Sequence, residues 1–251
     1  MTTTHASTSS GRTTRLPALV STEWLKLRTV RSTWTVLLLL PLVGVVSLFD
    51  AALDPVEHNT SLVDFMDVSL VVVGMAAAAF AAATIGGEYQ RKTIGLDFLA
   101  IPARGPVLLA KIAAFAGVGL VLGLLAITVA HAVVIPIAIG RDVPTDSVGE
   151  ITARAIAVAL ATSIVAALGA AIGLLVPQPA VAAGTIIAWQ VVEGVLGQAL
   201  GISGYLPIGL ITTVAHLGGT VALPLAFAVL AGYLVLLGAA AVAVAHRRNL
   251  S

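Results

Sequence analysis

The segment Ile112–Gly140 reads IAAFAGVGLVLGLLAITVAHAVVIPIAIG, with Lys111 before it, Arg141 after it and no charge between them. A helix crosses ~30 Å of hydrocarbon with ~20 mostly apolar residues, so this run alone is long enough to span a bilayer. Working outward, Ser32–Phe49 and Val68–Gly87 are charge-free as well. Ala155–Val192 is too long for one span, but Pro177-Gln178-Pro179 divides it, because paired prolines break a helix and suit a turn. After Glu193 no Lys, Arg, Asp or Glu occurs until Arg247. The composition agrees. Hydrophobic residues make up 59% and charged residues 10%, with a mean hydropathy of +1.06, against ~25% charged in soluble domains. The expected fold is an all-α polytopic membrane protein with six transmembrane helices, at about 33–50, 67–86, 108–131, 155–176, 180–200 and 222–245. Between the last two, Gly201, Gly204, Gly209, Gly218, Gly219 and Pro207 predict a re-entrant or irregular segment rather than a seventh span.

Sorting the charges orients this plan. Arg12, Arg15, Lys26, Arg28, Arg31, Arg91, Lys92, Arg104, Lys111, Arg247 and Arg248 fall on one side with Glu23, Glu88 and Asp97, a net of +8. The other side holds Arg141 and Arg154 against eight acidic residues, a net of −6. The positive-inside rule then places both termini in the cytoplasm. Residues 1–15, rich in Thr and Ser, read as a disordered cytoplasmic tail, and 16–251 as a single transmembrane domain. In Pro17–Arg31, Val20, Trp24 and Leu27 recur at helical spacing with charges on other faces, as in a helix lying in the headgroup layer.

Several chemistries are excluded. There is no cysteine, hence no thiolate catalysis and no cysteine-ligated metal. The three lysines follow Leu25, Arg91 and Ala110, whereas a phosphate-cradling P-loop requires Gly before Lys. Ser163, Ser203, His131 and His216 occur without a nucleophile elbow or zinc-site spacing, and both histidines read as interfacial. No catalytic, cofactor or metal residue is assigned, and no nucleic-acid partner is expected. Glu193 is the one ionisable residue deep in a span, a functional candidate by its cost. Gln190, one turn before it, could share a hydrogen bond on the same face. Gly119–Gly123, Gly169–Gly173 and Gly197–Gly201 are spaced for close helix packing.

The loop Glu88–Lys111, EYQRKTIGLDFLAIPARGPVLLAK, is basic and broken by Pro102 and Pro106. By charge alone it serves equally as a topology signal or a docking surface. Its string resembles the loop of type-2 ABC exporter permeases, whose pattern runs E-Y-x-x-G-T, a Leu-rich turn, P-x-R and A-K. Glu88, Tyr89, Thr93, Pro102, Arg104, Ala110 and Lys111 match it. Lys92 stands where the pattern has Gly, and Gly95 where Arg is common. Glu23–Trp34, EWLKLRTVRSTW, is similar to the family's N-terminal helix, E-W-x-K-L-R-x-x-R-S-x-W.

The resemblance implies the permease subunit of an ABC exporter in the cell membrane, paired with a second permease copy (the same or a related chain) and driven by a separate ATPase subunit. It further implies that the loop forms a coupling helix, with Glu88, Tyr89, Arg91, Thr93, Pro102, Arg104 and Lys111 as the ATPase-coupling residues. By their place within a span, and apart from the resemblance, Glu193 and Gln190 are candidates for the pathway or the dimer seam. Two other classes are open: a stand-alone secondary transporter using Glu193, and an intramembrane enzyme.

Overall fold

The structure, a computed structural model, describes residues 16–29, 36–53, 60–101, 104–218 and 221–247. The expected tail at 1–15 and Pro102 lie outside them. Among the described residues there is no strand, and nine α-helices follow one another. These are α1 Leu16–Thr29, α2 Leu39–Leu53, α3 Asp67–Gln90, α4 Thr93–Ala100, α5 Arg104–Gly140, α6 Val148–Leu175, α7 Pro179–Leu200, α8 Pro207–Ala215 and α9 Leu223–Arg247. Among the described residues, six helical segments are long and apolar enough to cross a membrane: Val36–Leu53, Asp64–Gln90, Arg104–Gly140, Val148–Leu175, Pro179–Leu200 and Leu223–Ala245. The chain is a polytopic all-α membrane protein.

Some boundaries differ from the sequence reading for identifiable reasons. The third spanning helix continues past His131 to Gly140, carrying Pro136 inside it. At ~1.5 Å per residue it is roughly 55 Å long, well beyond the hydrocarbon thickness, so both its ends project. The fourth begins at Val148 rather than near 155 because Ser147 and Glu150 form a reciprocal capping box. That S-x-x-E signature is legible in the sequence.

The α6 helix is central, with two-thirds of its spanning window buried (67%), whereas α9 has only 11% buried. Small residues let the neighbours of α6 approach. A Cβ on Gly169 would stand 2.1 Å from the Ala78 carbonyl oxygen of α3, and one on Gly119 would stand 2.6 Å from the Thr162 carbonyl oxygen of α6. Neither position admits alanine without separating the helices. Gly123 and Gly173 repeat the contact one turn on. Gly201 differs: its φ of +66° ends α7 in the left-handed conformation.

The loops alternate between a basic and an acidic end. At the basic end α1 packs along α5. Its buried stripe is Leu19, Glu23 and Leu27, which keeps Leu27 of the expected Val20–Trp24–Leu27 stripe and has Leu19 and Glu23 in place of Val20 and Trp24. The difference is a carboxylate with a buried partner, Lys111, described below; Trp24 is half-buried, its ring over Gly117. At the acidic end the described part of the 201–220 segment, 201–218, forms a short 3-10 turn, Ser203–Tyr205, and then α8. Nine residues of helix reach only about 13 Å, too short to cross. Leu210, Ile211, Val214 and Ala215 are buried, so α8 dips into the bundle against α3, α6 and α9.

Candidate functional site

The basic end is held by a ring of ion pairs. Lys111, at the start of α5, is 1% exposed. Its ammonium lies 3.1 Å from Glu23 of α1, 2.6 Å from Glu88 of α3 and 2.9 Å from Asp97 of α4. Lys26 of α1 takes the other oxygens of Glu23 and Asp97, at 3.0 and 2.7 Å. Glu23 and Asp97 thus each bridge both lysines and close the ring, with Glu88 as a third carboxylate on Lys111. Four helices meet on two ammonium groups. A buried lysine requires such pairing, because an isolated charge out of water is far too costly.

The balance of burial and pairing is visible in the titrating groups outside the spans. Burial pushes the Asp97 carboxyl up, but hydrogen bonds from Lys26 and Lys111 outweigh it and hold the group below 3.8. Burial likewise pushes Lys26 down, and its bonds to Asp97 and Glu23 raise it on balance. A carboxylate lowered on folding stabilises above its unfolded pKa and loses that contribution as pH falls through the folded one. The bonds of Asp97 to the two lysines are therefore intact at neutral pH and loosen only in acid.

The expected coupling residues divide into two groups. Glu88 and Lys111 turn inward and are spent on each other. Arg104 also serves the chain itself: it donates to the Ala245 carbonyl of α9 (3.3 Å) and its guanidinium lies 5.5 Å from the Phe98 ring centroid. Tyr89 is half-buried against the core that includes Ile94 and Leu108. Thr93 donates to the Glu88 carbonyl (3.2 Å), and Arg91 is exposed with its guanidinium against Gly87. Lys92 has φ 59°, the left-handed conformation, at the start of α4. That is the conformation glycine adopts without strain, and Gly stands at this place in the pattern that the loop resembles. In α4, Ile94 faces in (1% exposed) while Leu96 and Leu99 face out at 65% and 82%. Asp97, absent from the expected set, is what aims this helix. Its signal was faint, a single charge in the apolar run TIGLDFLA.

Glu193 is engaged in a different place. It is buried in α7, and one carboxylate oxygen accepts the backbone N–H groups of Ile208 (2.7 Å) and Gly209 (2.9 Å). The other accepts the indole N–H of Trp189 (2.8 Å). The partner on α7 is Trp189 at i−4; Gln190 at i−3 is not among the partners. Glu193 caps the first turn of α8 from a neighbouring helix, satisfying donors that no helix satisfies internally and placing a negative charge at the positive end of the dipole. At the other end of α8, Arg154 donates to the Ala215 carbonyl (2.7 Å) and pairs with Asp146.

His131 is buried rather than interfacial, with Nδ1 2.8 Å from the Ile127 carbonyl. His216, just after α8, lies 3.1 Å from Asp67 and 3.8 Å from Asp64. These three offer ligand-type atoms within 4.8 Å of one another, a spacing that suits a cation. The histidine's own bond to Asp67 and the adjacent positive charge of Arg154 make the group an ion-pair cluster.

The Asp67 hydrogen bond raises His216 against the opposing effect of burial. A histidine raised on folding stabilises below its unfolded pKa of about 6.5 and loses that contribution as pH rises through the folded one. Hydrogen exchange in 212–218 should therefore quicken between pH 6 and 8 relative to the rest of the bundle. In His216→Gln this pH dependence should vanish; its persistence would assign it to another group.

A family model described as ABC-2 family transporter protein matches residues 19–168. No curated protein matches the chain.

Proposed function

Because the chain belongs to the ABC-2 family of transporter proteins, and so is the membrane permease component of an ABC transporter, we propose that it works in export and is driven by a separate ATPase subunit docked on α4. The observation that carries this reading is the ion-pair ring. It fixes α4 rigidly to α1, α3 and α5 while leaving Leu96 and Leu99 pointing outward. An exposed pair of leucines on a short helix fits an apolar groove of a partner, and the ring beneath transmits a push on α4 to the spanning helices. Glu88, Lys111 and Arg104 are then positioning residues, and Arg91, Thr93, Leu96 and Leu99 form the contact face. The basic end, with both termini, faces the cytoplasm. A second copy or related permease covers the exposed faces that the bilayer does not. The stand-alone transporter reading finds less support, since both oxygens of Glu193 are engaged by backbone and indole N–H groups.

Leu96→Asp combined with Leu99→Asp tests the docking face. Co-purification of the partner ATPase should weaken at least tenfold, about 1.4 kcal/mol, with membrane abundance unchanged; undiminished ATPase-driven transport would remove α4 as the coupling element. Orientation is checked separately, and the native lack of cysteine helps. Val148→Cys should react with a membrane-impermeant maleimide on intact cells and Lys92→Cys only after lysis. The reverse pattern would invert the assignment.

A further inference from the structure

A cavity of about 510 Å³ lies within the single chain, walled by α3, α6, α7, α8 and α9. Its deep walls are Met75 and Ala78 of α3, Leu168 of α6 and Ile211 of α8, all buried. Among the described residues, no charged side chain lines it. Three lining residues carry a polar hydrogen, and each is already used. Thr185 donates to the Val181 carbonyl (2.8 Å), Trp189 to Glu193 (2.8 Å) and Tyr233 to the Tyr205 carbonyl (3.3 Å). The backbone N–H of Ile208, also in the wall, is taken by Glu193.

The lining therefore offers no free donor to an occupant. A buried water needs two to four polar partners, and apolar cavities of ~150 Å³ stay dry and take up benzene. This cavity is more than three times that size, within the range of ligand pockets, roughly 300–1,000 Å³. Peptide, sugar and ion would each lose hydration here with nothing in return. A hydrocarbon would lose nothing.

The cavity also has a direction. Trp189 of α7 and Leu236 of α9 line it and are 45% and 70% exposed, while Met75 and Ala78 of α3 and Ile211 of α8 are buried. Its mouth opens sideways between α7 and α9, the two least buried flanking spans on that side, toward the bilayer. The Glu193 cap holds α8 in place as one wall.

We propose that this chamber binds the hydrocarbon chain of a membrane amphiphile, admitted laterally from the bilayer between α7 and α9. The site requires only this chain, so its test is separate from that of ATPase coupling. The full-length protein is reconstituted in phosphatidylcholine vesicles containing a phosphatidylcholine with a diazirine near the end of one acyl chain, irradiated, and mapped by peptide mass spectrometry. Adducts are expected on the deep walls, at Leu168 and Ile211, besides those on lipid-facing Leu42 and Phe49 of α2. Thr185→Trp, which fills the chamber from its mouth, should lower the deep-wall adducts roughly tenfold and leave those on α2 unchanged. Leu237→Trp fills it from α9 and serves as the second variant.

Labelling confined to lipid-facing positions, or deep-wall labelling unchanged in both filling variants, would overturn the proposal. A transported amphiphile and a resident lipid share this chemistry. Depletion of the deep-wall label when the ATPase and ATP are added identifies cargo, and an unchanged label identifies a resident lipid; either keeps the site.

Discussion

Lys111→Met is expected to destabilise the protein by about 3–5 kcal/mol, the usual cost of removing one partner from a buried ion pair. The reason is local. With the ammonium gone, Glu23, Glu88 and Asp97 converge at the head of α5 with only Lys26 to balance them. The thermal midpoint of the detergent-purified protein should fall markedly, and ATPase-driven transport should be lost even in the fraction that folds, because α4 is no longer fixed to α5. Adding Glu88→Gln to Lys111→Met removes one of the repelling carboxylates and should recover part of the stability. A wild-type midpoint for Lys111→Met would show that the ring contributes nothing, and a double variant less stable than the single one would show that the carboxylates do not repel.

Glu193→Leu is the second large effect. It strands the backbone N–H groups of Ile208 and Gly209 in an apolar setting, at about 1–3 kcal/mol for each unsatisfied donor. It also frees the Trp189 indole. Hydrogen exchange over 207–211 should accelerate strongly, and transport should fall at equal membrane abundance. Glu193→Gln keeps an amide oxygen for the two N–H groups and loses the Trp189 bond and the charge at the start of α8, so it should retain more of both than the Leu variant. Equal behaviour of the two variants would remove the helix cap from the explanation. Substrates that fill the neighbouring chamber would feel the same change, since Ile208 is part of its wall.

Much of the site was legible as composition and much was not as geometry. The loop string placed Glu88, Arg104 and Lys111 in one segment, and all three are indeed at one end of the bundle. Their use was hidden. Glu88 and Arg104 carry charges that a sequence reader assigns to a partner protein, yet the fold consumes them internally, on Lys111 and on the Ala245 carbonyl. Conversely, Leu96 and Leu99 look like ordinary apolar residues of an apolar helix. Only the anchoring of Asp97 turns them outward.

The number of spanning helices, the charge difference between the two ends and the turn at Pro177–Pro179 were determined by the sequence alone. Each depends on local quantities: the length of an uncharged run, the sign of a loop and the rigidity of proline. The partners of Glu23, Glu193 and His216 were decided only by tertiary structure. Glu23 meets Lys111 across 88 residues, and His216 meets Asp67 across 149. No periodicity encodes such pairings, because they depend on which helices cross and at what depth. Gly169 lets α6 approach the Ala78 backbone of α3, and a glycine pair in the sequence does not say which helix will lie against it. The apolar chamber belongs to this second kind, for a cavity is the space left between five helices rather than a property of any one of them.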